Sequence, residues 1–532
     1  MLLNLNPDQQ AAANSVQGDF VVIAGPGSGK TAMLIQRYLG MISTHGIPTK
    51  DILNLTFTNS AATEMVQRVG LIDAEKVFRT FHSFALDLLK REAQYLPFPV
   101  CETIIPVYGE DFKLMKDLMN TYPAITTFRS LKDKLSEWKA SNIDPEQAIE
   151  EGYNRGTEFW YAQAYKDYEL KSREQGWLDF DSLMKETVKL LETNDEVRTR
   201  NKRRYIAVDE CQDTDVVQFK LLKLIYGGNI FVVGDENQLI YEWRSAQAGN
   251  LSNFARTFPG ARTLYLGQNY RSTQRLVAFF KRILPVDNGI ASHLTSMREE
   301  GIDPTITKYS DDFEESSVVL ARITDVGETA VIARTNRQLL EFQKRCMARN
   351  VKSKIVGRKD LWQQTEVKHL IDLAKAEKHN PEPVHQVLES LIRDHNLMYK
   401  YRNTGSPNEK DPIENLNDIV KMAAKKGTVA EFLTWIRKLT YAKKNSKDPI
   451  LHLTTVHQAK GREWKHVFVI GANQGTMPHK DGELLEEHRI FFVACSRAAD
   501  TLEISYTKNL TQFLNEFKDE VEFYEDEREQ DV

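Results

Sequence analysis

Residues 19–31 read DFVVIAGPGSGKT. The apolar run Phe20–Ile23 has the character of a strand buried on both faces. A glycine-rich loop follows, and a helix opens at Lys30 with the amphipathic stretch AMLIQRYLGMI behind it. Strand, small-residue loop and helix N-terminus together place several backbone N–H groups around one point, which suits a phosphate. In this arrangement Ala24, Gly25, Gly27, Ser28 and Gly29 form the cradle. Lys30 reaches the β- and γ-phosphates, and Thr31 holds Mg²⁺. The strict pattern opens on glycine, a slot that Ala24 occupies here.

A second apolar strand, in YIAVDECQD (205–213), ends in Asp209 and Glu210. An acid at a strand tip opposite a phosphate loop suits a second metal-positioning group, so Asp209 is expected at Mg²⁺ and Glu210 as the group that orients or deprotonates the attacking water. These two stretches predict a nucleoside triphosphatase. A third, VVGDENQLIYEWRSA (232–246), again leaves a strand, then sets Gln238, Tyr241, Trp243 and Arg244 within seven residues. A polar group, two large aromatics and a cation at that spacing are not what packing alone requires.

The bulk composition bounds the rest. At 532 residues, with 41% hydrophobic and 27% charged, the chain has ordinary globular composition and room for several domains. It contains no run of about 18 apolar residues and no basic-plus-apolar start, so neither a membrane span nor a signal peptide is expected. Cys101, Cys211, Cys346 and Cys495 are scattered without a CxxC pair, which argues against a structural zinc or iron–sulfur site and fits a reducing cytoplasm. The formal charge is −5, but residues 515–532 hold nine acids against two bases. That −7 tail leaves +2 for the remainder, a balance that still permits a basic channel. The tail itself reads as a solvated end or as a tether that damps binding.

In order along the chain come LNPDQQAA (5–12), LTFTNSAATEM (55–65), RTFHSFA (79–85), WLDFDSL (177–183), VDECQDTD (208–215), LGQNYRST (266–273), TTVHQAKGREW (454–464) and EEHRIFFVACSRA (486–498). With these segments the chain resembles the UvrD/Rep/PcrA group of superfamily 1A DNA helicases over nearly its whole length. The resemblance implies an α/β fold of two RecA-like parallel-sheet domains with helical insertions. It implies an ATP- and Mg²⁺-dependent translocase on single-stranded and tailed duplex DNA, moving 3′ to 5′, with ATP hydrolysed between the two domains. By the same resemblance Gln9 reads adenine, Tyr270 stacks on it and Glu463 meets the ribose. Arg271 and Arg497 act on the γ-phosphate, and Gln238 senses it. Phe57, His82, Tyr241, Trp243, Arg244 and His457 are matched to DNA contacts. One short loop would then touch both nucleotide and track.

The sequence departs from the family at Ala32, where a base-stacking arginine is common, at Leu239, Glu242 and Ser245, and at Arg462 and Trp464. The expected division is a first RecA-like core over 1–84 and 179–270, interrupted by a helical insertion over 85–178. A second core over 271–375 and 450–514 is interrupted by a reduced helical insertion over 376–449, with the acidic tail last. Arg271 and His457 are 186 positions apart, a spacing shorter than in large family members. That reduction motivates an alternative, a partner-gated ATPase subunit acting with a separate nuclease in repair or anti-phage defence, as in the Gabija system. No nuclease domain is expected within the chain itself.

Overall fold

The computed structural model describes residues 4–71, 73–98, 110–125, 127–152, 156–241, 249–357, 361–401, 412–424, 426–445 and 449–523. The chain divides into two compact units. The first holds the chain up to Tyr270 together with Val286–Leu294, and the second holds Arg271–Pro285 and the chain from Thr295 onward.

The first unit is built on six strands: β1 (Phe20–Ala24), β2 (Ile52–Thr56), β3 (Phe78–Thr80), β4 (Arg203–Val208), β5 (Tyr226–Gly234) and β6 (Arg262–Leu266). They form one all-parallel sheet in the order β3-β2-β4-β5-β1-β6. The apolar runs explain why both faces are covered. Along β1, Val21 packs into one core with Leu53, Leu55, Ile206 and Val232. Phe20 and Val22 pack into the opposite core with Tyr205, Phe231 and Val233. A strand with two buried faces has no polar alternation, which is the pattern seen in the sequence. Helix α1 (Pro7–Asn14) starts with a capping box between Asn6 and Gln9. Helix α2 (Lys30–Ser43) starts directly after the glycine loop.

The helical insertion has its own core of Leu118, Leu131, Leu135, Ala162 and Tyr165 among others. The helix Phe81–Arg91 runs across the expected boundary at 84/85 and sends Phe84, Ala85, Leu88 and Leu89 into the sheet core, so the insertion begins after it.

Among the described residues the main sheet of the second unit has seven strands: β7 (Thr305–Lys308), β8 (Thr329–Ala333), β9 (Ser353–Ile355), β10 (Leu451–Thr455), β11 (Trp464–Val469), β12 (Ala498–Tyr506) and β13 (Val521–Phe523). All pairings are parallel, in the order β9-β10-β8-β11-β12-β7-β13. The edge strand β13 corrects the reading of 515–532 as one solvated tail. Phe517 is buried, and Val521–Phe523 pairs with Ile306–Lys308. The dense acids conceal Phe517, which is buried together with Leu514 just before it. Helices Thr365–Ala376, Val384–Asp394, Pro412–Ala423 and Val429–Asn445 surround a separate core that includes Leu370, Leu388, Leu416, Ile419 and Phe432. The first of these helices belongs to that core, so the helical segment starts before residue 376.

Among the described residues no helix is long and apolar enough to cross a membrane. Cys211, Cys346 and Cys495 are buried free thiols.

Candidate active site and nucleic-acid interface

In the first unit the predicted site residues follow the carboxyl ends of the parallel strands. The phosphate loop leaves β1, Phe57 leaves β2, His82 follows β3, Asp209 follows β4, Gln238 follows β5 and Tyr270 follows β6. Residues far apart in sequence therefore converge on one edge of the sheet, where parallel α/β folds bind ligands.

The glycine loop takes its shape from two left-handed residues, Gly27 at φ 65° and Gly29 at φ 74°, a conformation that costs a side-chain-bearing residue. A Cβ on Gly29 would lie 2.7 Å from the Gln9 Nε2. Gln9 is buried, and its Nε2 donates to the Ser28 carbonyl at 2.8 Å while its Oε1 accepts from the Asn6 N–H at 3.0 Å. The Ser28 hydroxyl donates to the Gly25 carbonyl at 2.8 Å. The loop is braced from β6 by the Tyr270 N–H on the Gly27 carbonyl at 3.0 Å and the Asn269 amide on the Pro26 carbonyl at 2.8 Å. The Tyr270 ring stands 43% exposed, with its hydroxyl 2.6 Å from the Asn6 amide nitrogen. Ala24 is fully buried in β1, so this slot is a strand position that needs no glycine.

Asp209 is buried at the end of β4, and its Oδ1 accepts from the Glu210 N–H at 3.0 Å. Burial pushes its carboxyl up to about 7, the neighbouring Glu210 adds to this, and Lys30 opposes it. A buried carboxylate held against burial and a like charge has reason to take a divalent cation, so Asp209 and Thr31 fit a Mg²⁺ that would supply positive charge to the phosphates. Glu210 sits at φ 50°, a left-handed backbone that costs a side-chain-bearing residue. Gln238 is buried, and its Nε2 donates to Asp235 Oδ2 at 2.7 Å. Burial raises the Asp235 carboxyl, against the pull of Lys30.

Three residues beyond Gln238, Tyr241 stacks on Phe57 with ring centroids 5.7 Å apart and planes 20° apart. His82 meets Phe180 edge-on at 5.1 Å. Burial lowers the His82 imidazole to about 4, so it stays neutral at ordinary pH and presents a ring rather than a charge. Phe180 is 48% exposed and is not among the site residues that the sequence suggests. Only the fold brings it beside His82; within WLDFDSL it reads as one more apolar helix residue. Trp243 and Arg244 lie outside the described residues.

In the second unit Arg271, Glu463 and Arg497 come together. The Arg271 Nε donates to Glu463 Oε2 at 2.6 Å, and its Nη1 donates to the Ser496 carbonyl at 3.1 Å. Arg497 is buried, with Nε on the Val493 carbonyl at 2.9 Å and Nη2 on the Ser496 hydroxyl at 2.8 Å. These residues lie at the amino ends of β11 and β12, whereas His457 follows the carboxyl end of β10. Because these strands are parallel, the arginines and His457 occupy opposite edges of that sheet. Trp464 donates its indole N–H to His452 Nδ1 at 2.7 Å, an acceptor that accommodates this departure from the family pattern.

The family model for the UvrD/REP helicase N-terminal domain matches residues 5–259, and the model for the UvrD-like helicase C-terminal domain matches 264–396 and 374–509. The ATP-dependent DNA helicase Rep of Salmonella typhimurium is 26% identical over a 626-residue alignment, covering 96% of this chain and 92% of that protein. The ATP-dependent DNA helicase PcrA of Bacillus subtilis is 26% identical, with 96% and 84% covered. The ATP-dependent DNA helicase Rep of Escherichia coli is 32% identical over 390 residues, with 69% and 58% covered.

Proposed function

The chain belongs to the UvrD/REP helicase family, and on that premise we propose that it is an ATP-dependent DNA helicase that moves along single-stranded DNA in the 3′-to-5′ direction. One observation carries most of the reading. Gln238, hydrogen-bonded to Asp235, and Tyr241, stacked on Phe57, are three residues apart at one strand end. A displacement of that loop moves both a phosphate-facing amide and a base-facing ring. The direction of travel rests on the family resemblance alone.

In this proposal the glycine loop and Lys30 bind the triphosphate, and Thr31 and Asp209 hold Mg²⁺. Glu210 orients the attacking water and accepts its proton. Arg271 and Arg497 offset the charge that spreads over the γ-phosphate oxygens in the transition state. Tyr270 offers its exposed ring to adenine, Gln9 sets the edge beside it and Glu463 meets the ribose. Phe57, Tyr241, His82, Phe180 and His457 form the track, together with Trp243 and Arg244. Aromatic stacking is worth about 1–3 kcal/mol per base and tolerates any sequence, which suits a motor.

Lys30→Ala tests the chemistry: hydrolysis should be lost, and wild-type turnover in this variant would sink the assignment. Trp243→Ala tests the track: the stimulation of hydrolysis by single-stranded DNA should fall, and undiminished stimulation would remove Trp243 from it.

A further inference from the structure

Gln212 takes no part in the nucleotide and DNA contacts proposed above. It lies on the short turn Cys211–Asp213 and is 1% exposed. Both ends of its amide are engaged. Nε2 donates to Glu210 Oε2 at 2.5 Å, and Oε1 accepts from the Asp235 N–H at 3.0 Å. Asp235 in turn accepts from Gln238 Nε2 at 2.7 Å. Three hydrogen bonds therefore run unbroken from Glu210 to Gln238. A second observation bears on the placement of this side chain. The Gln212 oxygen passes so close to Gly234 that a Cβ there would lie 2.2 Å from it. Position 234 is an extended strand end, and a Cβ there would have to push the Gln212 oxygen out of its place. A glutamine that only filled space would need neither the paired contacts nor the bare neighbour.

We propose that Gln212 is a positioning residue that aims the Glu210 carboxylate according to the setting of the Gln238 loop. The inference rests on the reading of Glu210 as the water-activating group and Gln238 as the phosphate sensor. Asp235 is the junction. Its backbone N–H holds Gln212 and its carboxylate holds Gln238, so a movement of the loop that carries Tyr241 shifts both contacts together. Through the 2.5 Å bond, that movement rotates Glu210 toward or away from the water it must orient.

The test uses the full chain, with steady-state ATP hydrolysis measured with and without oligothymidine for wild type, Gln212→Met, Gln238→Ala and the double variant. Methionine keeps the length and volume of glutamine without either hydrogen bond, and thermal melting checks that the fold survives. Loss of a hydrogen bond to a charged group should lower DNA-stimulated kcat roughly 10- to 100-fold. The KM for ATP should be unchanged, because Gln212 does not touch nucleotide in this reading. The double variant should be no slower than Gln238→Ala alone, since both act through one path. Gly234→Ala, which displaces the Gln212 oxygen, should reproduce the Gln212→Met kinetics. Losses that multiply in the double variant, or a lowered melting temperature with an undiminished stimulation ratio, would overturn the relay. Glu210→Gln separates the two levels. If that variant still hydrolyses ATP, the underlying reading fails. If it is inactive while Gln212→Met is normal, only the relay fails.

Discussion

Lys139 offers the sharpest stability test. It is 1% exposed, on the insertion helix Phe128–Ala140, and its ammonium lies 2.6 Å from Asp179 and 2.8 Å from Glu169. It also donates to the Ser182 hydroxyl at 2.8 Å and sits 4.4 Å from the Tyr168 ring centroid. Burial works against its charge, but the two carboxylates outweigh it and hold the pKa well above the ordinary lysine value. Lys139→Met keeps the apolar stem, so no cavity opens, but it leaves two carboxylates without their cation. Removing one partner of a buried pair costs about 3–5 kcal/mol. The lower end applies here. Glu169 keeps contacts to Arg173 at 3.3 Å and the Ser182 hydroxyl at 3.0 Å, and the Asp179 side chain is 24% exposed. A loss of about 3 kcal/mol in urea unfolding is therefore expected. Trp138, stacked on Tyr165 one residue away, is the natural fluorescence reporter. Glu169→Gln in the same chain should recover part of the loss, because it removes one of the stranded charges. Asp179 also caps the helix that begins at Phe180, through the Ser182 N–H at 2.7 Å. Single-stranded DNA affinity should therefore fall more than the apparent affinity for ATP. A change below about 1 kcal/mol would refute the reasoning, since that is the range of a solvated surface pair.

Phe180→Ala should weaken single-stranded DNA binding by about 1–3 kcal/mol, roughly 5- to 150-fold in Kd, read by fluorescence anisotropy at fixed salt; unchanged affinity would remove this ring from the track. Gly29→Ala forces a side chain onto a backbone at φ 74° and against Gln9, so binding of a fluorescent ATP analogue should fall about tenfold or more, and normal binding would contradict the loop geometry. Glu315 is buried in the second unit, where its Oε1 accepts from the Gly471 N–H at 2.9 Å and the Ser505 hydroxyl at 2.6 Å. Burial raises its carboxyl from 4.5 to about 7. The folded state thus binds this proton more tightly than the unfolded chain, and the stability it contributes is full below pH 4.5 and lost as pH rises through 7. The second unit should lose about 3 kcal/mol across that window from this group, and Glu315→Gln should flatten the dependence of its melting temperature on pH. An identical slope in wild type and variant would contradict the assignment.

The phosphate loop and its strand were legible because their chemistry is local: small residues, a lysine and a helix start within thirteen positions. The central strands were legible because burial on both faces leaves an uninterrupted apolar run. β3 has only three residues, and β6 carries exposed residues at its outer end, so neither shows that signature. The track was half legible. Tyr241 declares itself by lying near Gln238, whereas Phe180 becomes a site residue only because folding sets it against His82, 98 positions earlier. The contact of Arg271 with Glu463 spans 192 positions and has no local trace. Nothing in the linear pattern of VDECQD shows which strand the Gln212 amide faces. In the last residues net charge dominated the reading and hid Phe517 and the strand Val521–Phe523.

The central claim is a motor whose hydrolysis is gated by its track. Its most direct test is steady-state ATP hydrolysis with no nucleic acid, single-stranded DNA, duplex DNA and single-stranded RNA, run beside unwinding of duplexes with a 3′ or a 5′ single-stranded tail. The account predicts strong stimulation by single-stranded DNA and unwinding from the 3′ tail alone. Hydrolysis that ignores single-stranded DNA and separates no duplex would contradict it, and would leave an ATPase whose control lies with a partner.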